Sequence, residues 1–251
     1  MNALWTTAKA KVSHRLARHF RVQPLRLRNQ VPMVSFTFDD IPKSAATTGA
    51  GILEHHGVRG TFYVSGGLVG STSSPHWAAA DVPDIVGLHR RGHEIGCHTF
   101  SHPRTCDLDA ASLTAEIEQN RQYLHSVDPS IKIENFAYPY GYGSFGRKRQ
   151  LEAAVQSSRG IVPGVNSGTV DLQFLRAMPL IDQHIDRDAI ERALDETQIN
   201  NGWLIFYGHD VAEAPSPYGC SPALLSHALE AAARRKIRGL SMAEALLCAR
   251  A

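Results

Sequence analysis

The 251-residue chain is 43% hydrophobic and 20% charged, with 20 glycines and 13 prolines spread along it, so it has the composition of a folded globular protein with room for one large core. Its net charge of +2 argues against a general nucleic-acid binder, and the lack of any run of 18 apolar residues means that nothing reads as a membrane span. There is no fixed-period repeat and no low-complexity tract, which excludes a solenoid or a linker.

Residues 1–30 form a basic arm: the first 38 residues hold Lys9, Lys11, Arg15, Arg18, Arg21, Arg26 and Arg28 but no Asp or Glu. Trp5, Ala8, Val12, Leu16 and Phe20 recur at helical spacing, which predicts an amphipathic helix. Three uses are open to it: docking on its own domain or a dimer mate, contact with an anionic membrane surface, and targeting. The first ranks highest, because packing is the commonest use of such a helix, and a homo-oligomer is left open. Charges interrupt the arm too often for a secretory signal. Cys97, Cys106, Cys220 and Cys248 make neither a CxxC pair nor a disulfide scaffold. The expectation is therefore reduced thiols in the cytoplasm, with membrane association as a variant.

Beyond the arm, residues 31–251 read as one domain. Residues 33–38 predict a buried strand that runs into Asp39 and Asp40 and is stopped by Pro42. A short helix over 49–56, a strand over 60–64, a polar loop over 66–80, a helix over 82–91 and a strand over 93–96 follow. The clearest helix is 109–126, with Leu113, Ile117 and Leu124 on one face. A strand at 136–138, a helix over 145–157, weak strands near 160–165 and 177–181, and a helix over 185–197 continue the alternation. Residues 203–207 are an uncharged strand ended by Gly208, His209 and Asp210, and helices over 222–235 and 242–248 close the chain. Alternating units of this length predict a parallel α/β sheet, open or closed into a barrel.

Chemically useful residues fall repeatedly at the carboxyl ends of strands: Asp39 and Asp40, His98 and His102, Tyr140, and His209. In a βα barrel those ends converge on the face that carries active sites. Taken alone, the two histidines four apart have chance as a rival explanation, and the Asp pair has a turn or helix cap. Together, one carboxylate and two imidazoles suit a catalytic zinc that keeps an open position for water. A second carboxylate would serve as general base, and an imidazole on another strand end as the acid for a leaving amine. These parts describe metal-assisted hydrolysis of an amide or ester.

Thr37-Phe38-Asp39-Asp40, His98-Thr99-Phe100-Ser101-His102, Tyr138-Pro139-Tyr140-Gly141 and the strand ending at His209 resemble the successive motifs of the polysaccharide deacetylases, the chitooligosaccharide deacetylase group called carbohydrate esterase family four. They occur in that family's order over residues 33–245. The resemblance implies a distorted (β/α) barrel of about seven strands. It also implies removal of acetyl groups from sugars with a divalent metal, most often Zn²⁺. By similarity Asp40, His98 and His102 bind the metal, Asp39 activates water, His209 is the general acid, and the Tyr140 N–H helps hold the oxyanion. Pro139, Tyr140 and Tyr218 are expected to contact the acetylated carbohydrate. No nucleic-acid partner is expected, and the basic arm would allow peripheral membrane contact.

The sequence departs from the family at two places. The arginine that begins the third motif, and that orients the base, is replaced by Ala137; Arg176 and Arg147 are candidates to stand in for it. The family's tryptophan and aspartate pair beside the acid is also missing, and Asp182, Asp171 and Asn166 are candidates to stand in for it. The 210–220 loop is read as either a substrate cover or a plain surface loop, and His76 and Trp77 as solvent-facing more than sugar-stacking. Two other functions stay open: a cyclic-amide hydrolase of the same superfamily that works without this metal set, and a non-catalytic carbohydrate-binding protein, for which Ala137 is the main support.

Overall fold

The computed structural model describes residues 2–72, 74 and 76–251, with side chains from Lys11 onward. In chain order the elements are α1 (Asn2–His19), β1 (Pro24–Arg26), β2 (Met33–Phe38), α2 (Ala50–His55), β3 (Thr61–Val64), α3 (Val82–Arg90), β4 (Glu94–Cys97) and α4 (Ala110–Val127). They continue with β5 (Asn135–Ala137), α5 (Phe145–Ala154), β6 (Ser157–Arg159), β7 (Thr169–Asp171), β8 (Met178–Pro179), α6 (Arg187–Ile199), β9 (Trp203–Gly208), α7 (Pro222–Arg234), β10 (Arg238–Gly239) and α8 (Met242–Arg250). Seven strands form a parallel half-barrel in the order β6-β5-β4-β3-β2-β9-β8, and β10 pairs with the first residues of β2. Among the described residues no ladder joins β6 to β8, so the barrel stays open on that side.

The sheet forms around β2 and β9 because both are apolar runs covered on both faces, as parallel strands must be. Alternation then divides their side chains. Leu204 and Phe206 join Val34, Phe36 and Phe62 in one core, whereas Trp203 and Ile205 join Met33, Tyr63 and α8 in another. Helix starts are fixed by side-chain caps, with capping boxes at Asp81/Asp84 for α3 and Ser241/Glu244 for α8.

Three sequence expectations change. The helix predicted over 145–157 ends at Ala154, and the strand expected near 160–165 is instead β6, held by Ser158 N–H on Leu172 O at 2.7 Å and Leu175 N–H on Ser158 O at 2.9 Å. A small antiparallel pair, β1 with β7, was not foreseen; three-residue strands carry too little pattern to be read. The third change concerns α1, whose stripe of Val12, Leu16 and Phe20 is exposed, while Ser13, His14 and Ala17 face the domain. Polar bonds set that rotation: Ser13 Oγ meets Ser144 Oγ at 3.3 Å and accepts from Phe145 N–H at 3.1 Å, and Lys148 Nζ donates to Ala17 O and Phe20 O, both at 2.8 Å. The side chains of Trp5 and Ala8 lie outside the described residues.

Candidate active site

The carboxyl ends of the strands carry unusual backbone. Asp40, Ile41, Thr99, His102 and Tyr140 have φ of 59°, 45°, 61°, 59° and 57°, a region non-glycine residues seldom occupy. The first of these explains how adjacent aspartates serve one place. Asp39 N–H still extends the ladder, donating to Gly208 O at 3.0 Å, and the turn at Asp40 then sends both carboxylates to the same cavity. After β4, His98 N–H likewise reaches Val64 O at 3.1 Å before the chain turns at Thr99. Glu116 of α4 clamps that loop, accepting from the N–H groups of Phe100 and Ser101 at 2.8 Å each, and so brings His102 back toward His98. Sequence reasoning did not single out Glu116; an acid nearly two turns inside the helix that follows the histidine loop was the available signal.

Asp40, His98 and His102 offer one ligand atom each within 4.8 Å of one another. Asp40 Oδ1 is 3.1 Å from His102 Nε2 and 3.6 Å from His98 Nε2, yet this buried oxygen accepts no hydrogen bond among the described residues. His98, 1% exposed, directs Nδ1 to Ala137 O at 2.8 Å. A carbonyl can only accept, so Nδ1 carries the proton and the Nε2 lone pair points into the cluster. Burial drives the His98 pKa down to about 3, opposed by Asp39, and also lowers His102. Burial raises Asp40 to about 6, against the pull of His209. Neutral imidazoles and an unpartnered carboxylate oxygen, all aimed inward, fit a divalent cation.

Beside this cluster Asp39, 5% exposed, is paired with Arg159 of β6, which is fully buried. Burial would raise the Asp39 carboxyl, but Arg159, with His98 and His209 adding, holds it below its usual value. Arg159 stands in strand register with Ala137, one strand further along the sheet. The guanidinium missing from β5 is therefore supplied by β6. Neither candidate named from sequence does this: Arg176 donates to Pro163 O at 2.8 Å and Arg147 to Gln150 Oε1 at 3.4 Å. The rings of Tyr63 and Tyr207 flank Arg159 at 5.1 and 5.4 Å. Gly96 makes room for the first of them, since a Cβ there would fall 2.5 Å from the Tyr63 ring.

His209, after β9, completes the group. Its Nδ1 lies 3.2 Å from Tyr218 O, to which it donates, and its Nε2 lies 3.9 Å from Asp40 Oδ2. None of the suggested partners supports it: Asp182 accepts from Ser221 N–H at 2.9 Å, Asp171 pairs with Lys148, and Asn166 binds the backbone of Arg176 and Trp203. Asp210 instead folds the following loop, accepting from Ser216 N–H at 2.8 Å, and that loop carries Tyr218 to the site. A cavity of about 560 Å³ opens over the group, walled by Trp77, His76, Tyr140, Ile181, Tyr207 and Tyr218 among others. Trp77 packs on His209 with ring centroids 5.4 Å apart, so it belongs to the site and not to a solvent-facing loop. Pro139 is buried behind Tyr140 and is absent from the cavity wall, contrary to the expectation of substrate contact. His184, which the sequence did not single out, also lines it.

A parallel half-barrel that gathers a carboxylate and two imidazoles at its carboxyl edge has the architecture of the family-four carbohydrate esterases. The chain belongs to the polysaccharide deacetylase family: residues 27–156 match that family's description, "Polysaccharide deacetylase". Over 121 residues it is 32% identical to a chitin deacetylase of Colletotrichum lindemuthianum, covering 47% of this chain and 43% of that one. The solved structure of the chitin deacetylase from that fungus superposes with a TM-score of 0.65 at 19% identity, covering 87% of this chain and 89% of the other. A mutant of a family-four pseudoenzyme superposes with a TM-score of 0.63 at 15% identity, over 90% of this chain and 71% of that one. The chain spans less than half the length of the first curated relatives it matches.

Proposed function

We propose that the chain is a metal-dependent deacetylase that hydrolyses the N-acetyl group of an amino sugar in an oligosaccharide or glycan precursor. The observation that carries this reading is the pairing of two sites in one cavity: the Asp40–His98–His102 donor set and, beside it, a carboxylate held ionised by Arg159. A divalent cation held by Asp40, His98 and His102, for which zinc is the best match to one carboxylate and two imidazoles, would supply Lewis acidity toward the acyl carbonyl and water.

The remaining steps belong to the chain's own groups. Asp39 lines the cavity as an ionised carboxylate and takes the proton of the attacking water. Arg159 keeps Asp39 charged and fixes where it sits, without a place in the cavity wall itself. Tyr140, at its positive-φ turn in that wall, offers a backbone N–H to the oxygen that gains charge. His209, its Nδ1–H fixed by Tyr218 O, gives a proton from Nε2 to the nitrogen as the C–N bond breaks, so that acetate and a free amine leave. Trp77 and Tyr218 line the cavity and supply aromatic surface against which a sugar can pack.

Arg159 weighs against the non-catalytic reading, since the loss at Ala137 was its main support. Acetate release from an N-acetylated chitooligosaccharide tests the proposal, with metal-stripped protein, zinc-reloaded protein and Asp40→Ala compared. Activity that depends on reloading and disappears in Asp40→Ala supports it. Undiminished turnover after stripping, or in Asp40→Ala, rules it out.

A further inference from the structure

An α-helix places residues four apart on one stripe and successive residues about 100° round. On α1, Val12 and Leu16 are 59% and 37% exposed, and Phe20, whose N–H continues the last turn to Leu16 O at 2.9 Å, is 56% exposed. Phe145 at the start of α5 is itself exposed and meets Phe20 edge-on with ring centroids 5.8 Å apart, which widens the apolar strip. Lys11, Arg15 and His19 each stand one position earlier and are exposed, as are Arg18 and Arg21. A surface helix ordinarily buries its apolar stripe. Here Lys148 and the Ser13–Ser144 contact hold the helix the other way round.

The charge is as one-sided as the apolar strip. Seven of the chain's 26 Lys and Arg, and none of its 24 acids, lie in the first 38 residues, so the rest of the chain is net acidic. At the end of α1 a cavity of about 560 Å³ is lined by Arg18, His19, Arg21 and Arg176 together with Asp171, whose charge is countered by Lys148. An apolar strip flanked by cations, next to an arginine-lined hollow, is the pattern of a helix lying in a lipid–water interface.

We infer that α1 and the start of α5 form a docking surface for an anionic phospholipid membrane. A second copy of the chain is the poorer occupant, because a symmetric contact through this strip would bring the two sets of Lys11, Arg15 and Arg18 together. The helix that carries this surface also packs near the cavity wall: its domain-facing His14 meets Tyr142, with centroids 5.1 Å apart, two residues from Tyr140 in the wall. Docking would therefore hold the cavity next to glycans at the membrane. That consequence rests on the proposed function, whereas the docking does not.

Sedimentation of the full chain with vesicles tests the inference without any activity measurement. Binding is expected to phosphatidylglycerol-containing vesicles and not to pure phosphatidylcholine, with release at ~0.5 M salt, where screening shortens electrostatic reach. The Arg15→Glu/Arg18→Glu pair should weaken it by at least ~10-fold, since each basic residue near an anionic surface is worth roughly 5-fold. Leu16→Ser/Phe20→Ser should weaken it as well, with thermal unfolding of both variants as the control for folding. Failure to bind anionic vesicles, equal binding to neutral ones, or binding unmoved by folded variants of either pair would overturn it. So would a wild-type dimer that Leu16→Ser/Phe20→Ser dissociates while vesicle binding is unchanged. If neither pair folds, the salt and lipid dependence of the wild type decides.

Discussion

The two ends of the half-barrel hold nearly the same groups and treat them oppositely. At the amino end, half-buried Glu94 accepts from Thr61 Oγ1 at 2.9 Å, Ala243 N–H at 2.8 Å and Asn135 Nδ2 at 2.5 Å. Its neighbour His93 accepts Gly60 N–H at Nδ1 and directs Nε2 to Glu54, at 3.0 and 2.8 Å. At the carboxyl end, Asp40 Oδ1 is buried without a hydrogen bond, and the Nε2 atoms of His102 and His98 lie 3.1 and 3.6 Å from it. A saturated polar network fixes strands, whereas an unsaturated one keeps binding capacity in reserve. The same elements thus build a clasp at one end and a site at the other.

Breaking the carboxyl end should show in function before stability. Asp40→Ala or His98→Ala is expected to reduce metal affinity by more than the ~10–100-fold that an outer-shell partner costs, with deacetylation lost in parallel. Metal content of the purified variant and acetate release check both. Asp39→Ala should cost ~10²–10⁴-fold in kcat while leaving bound metal unchanged, as expected for a lost base. Retained metal with near-normal kcat would remove Asp39 from the chemistry.

Arg159 is the one residue at this end that should show in both. Arg159→Met leaves a buried carboxylate without its partner, for which ~3–5 kcal/mol of stability is expected to be lost, and kcat should fall with it as Asp39 loses the charge that keeps it ionised. Because Ala137 and Arg159 are in register, Ala137→Arg combined with Arg159→Ala tests whether position or only charge matters. Partial recovery of kcat over Arg159→Ala alone is expected; no recovery, in a folded protein, would show that only β6 can present the guanidinium.

That arginine also marks the limit of what the sequence discloses. β2 and β9 were legible as uncharged runs broken by acids, glycine and histidine, and with them the parallel α/β alternation and the strand-end positions of Asp39, Asp40 and His209; the seven-strand count came from the family resemblance. β6 was not legible, because Ser157, Ser158 and Arg159 have neither apolar pattern nor strand preference. Its existence depends on backbone pairing with β5 and with the 172–175 segment, which no local signal carries. With β6 unseen, the residue opposite Ala137 could not be found. Trp77 was lost for a similar reason: a Ser-rich loop reads as solvent-facing until the His209 ring beneath it is in place.

Disturbing the amino end should give the reverse result. Glu94→Ala deprives Asn135, Thr61 and Ala243 N–H of a shared acceptor, and stranding either of the two buried side-chain donors, those of Asn135 and Thr61, costs ~1–3 kcal/mol, whereas metal binding and kcat per folded molecule should hold. A fall in kcat out of proportion to the folded fraction would mean that the two ends are coupled through β4.

The smallest expected effect is the pH dependence set by His93. Burial lowers its pKa below the ordinary 6.5 despite Glu54, with Arg59 and Arg91 adding to the depression. As pH falls through 6.5 the unfolded chain takes up the proton while the folded imidazole, with Nδ1 occupied by Gly60 N–H, does not. The contribution to stability is therefore complete above 6.5 and is lost on acidification below it. For one such group the loss between pH 7.5 and 5.5 is at most about 1.4 kcal/mol. Urea midpoints for wild type and His93→Gln at equal metal content measure it, since the carboxyl-end histidines then contribute equally to both. A shallower slope in His93→Gln assigns that share of acid sensitivity to the amino end. Identical slopes would place all of it at the carboxyl end, and the contrast between a closed network and an open one would then lose its thermodynamic side.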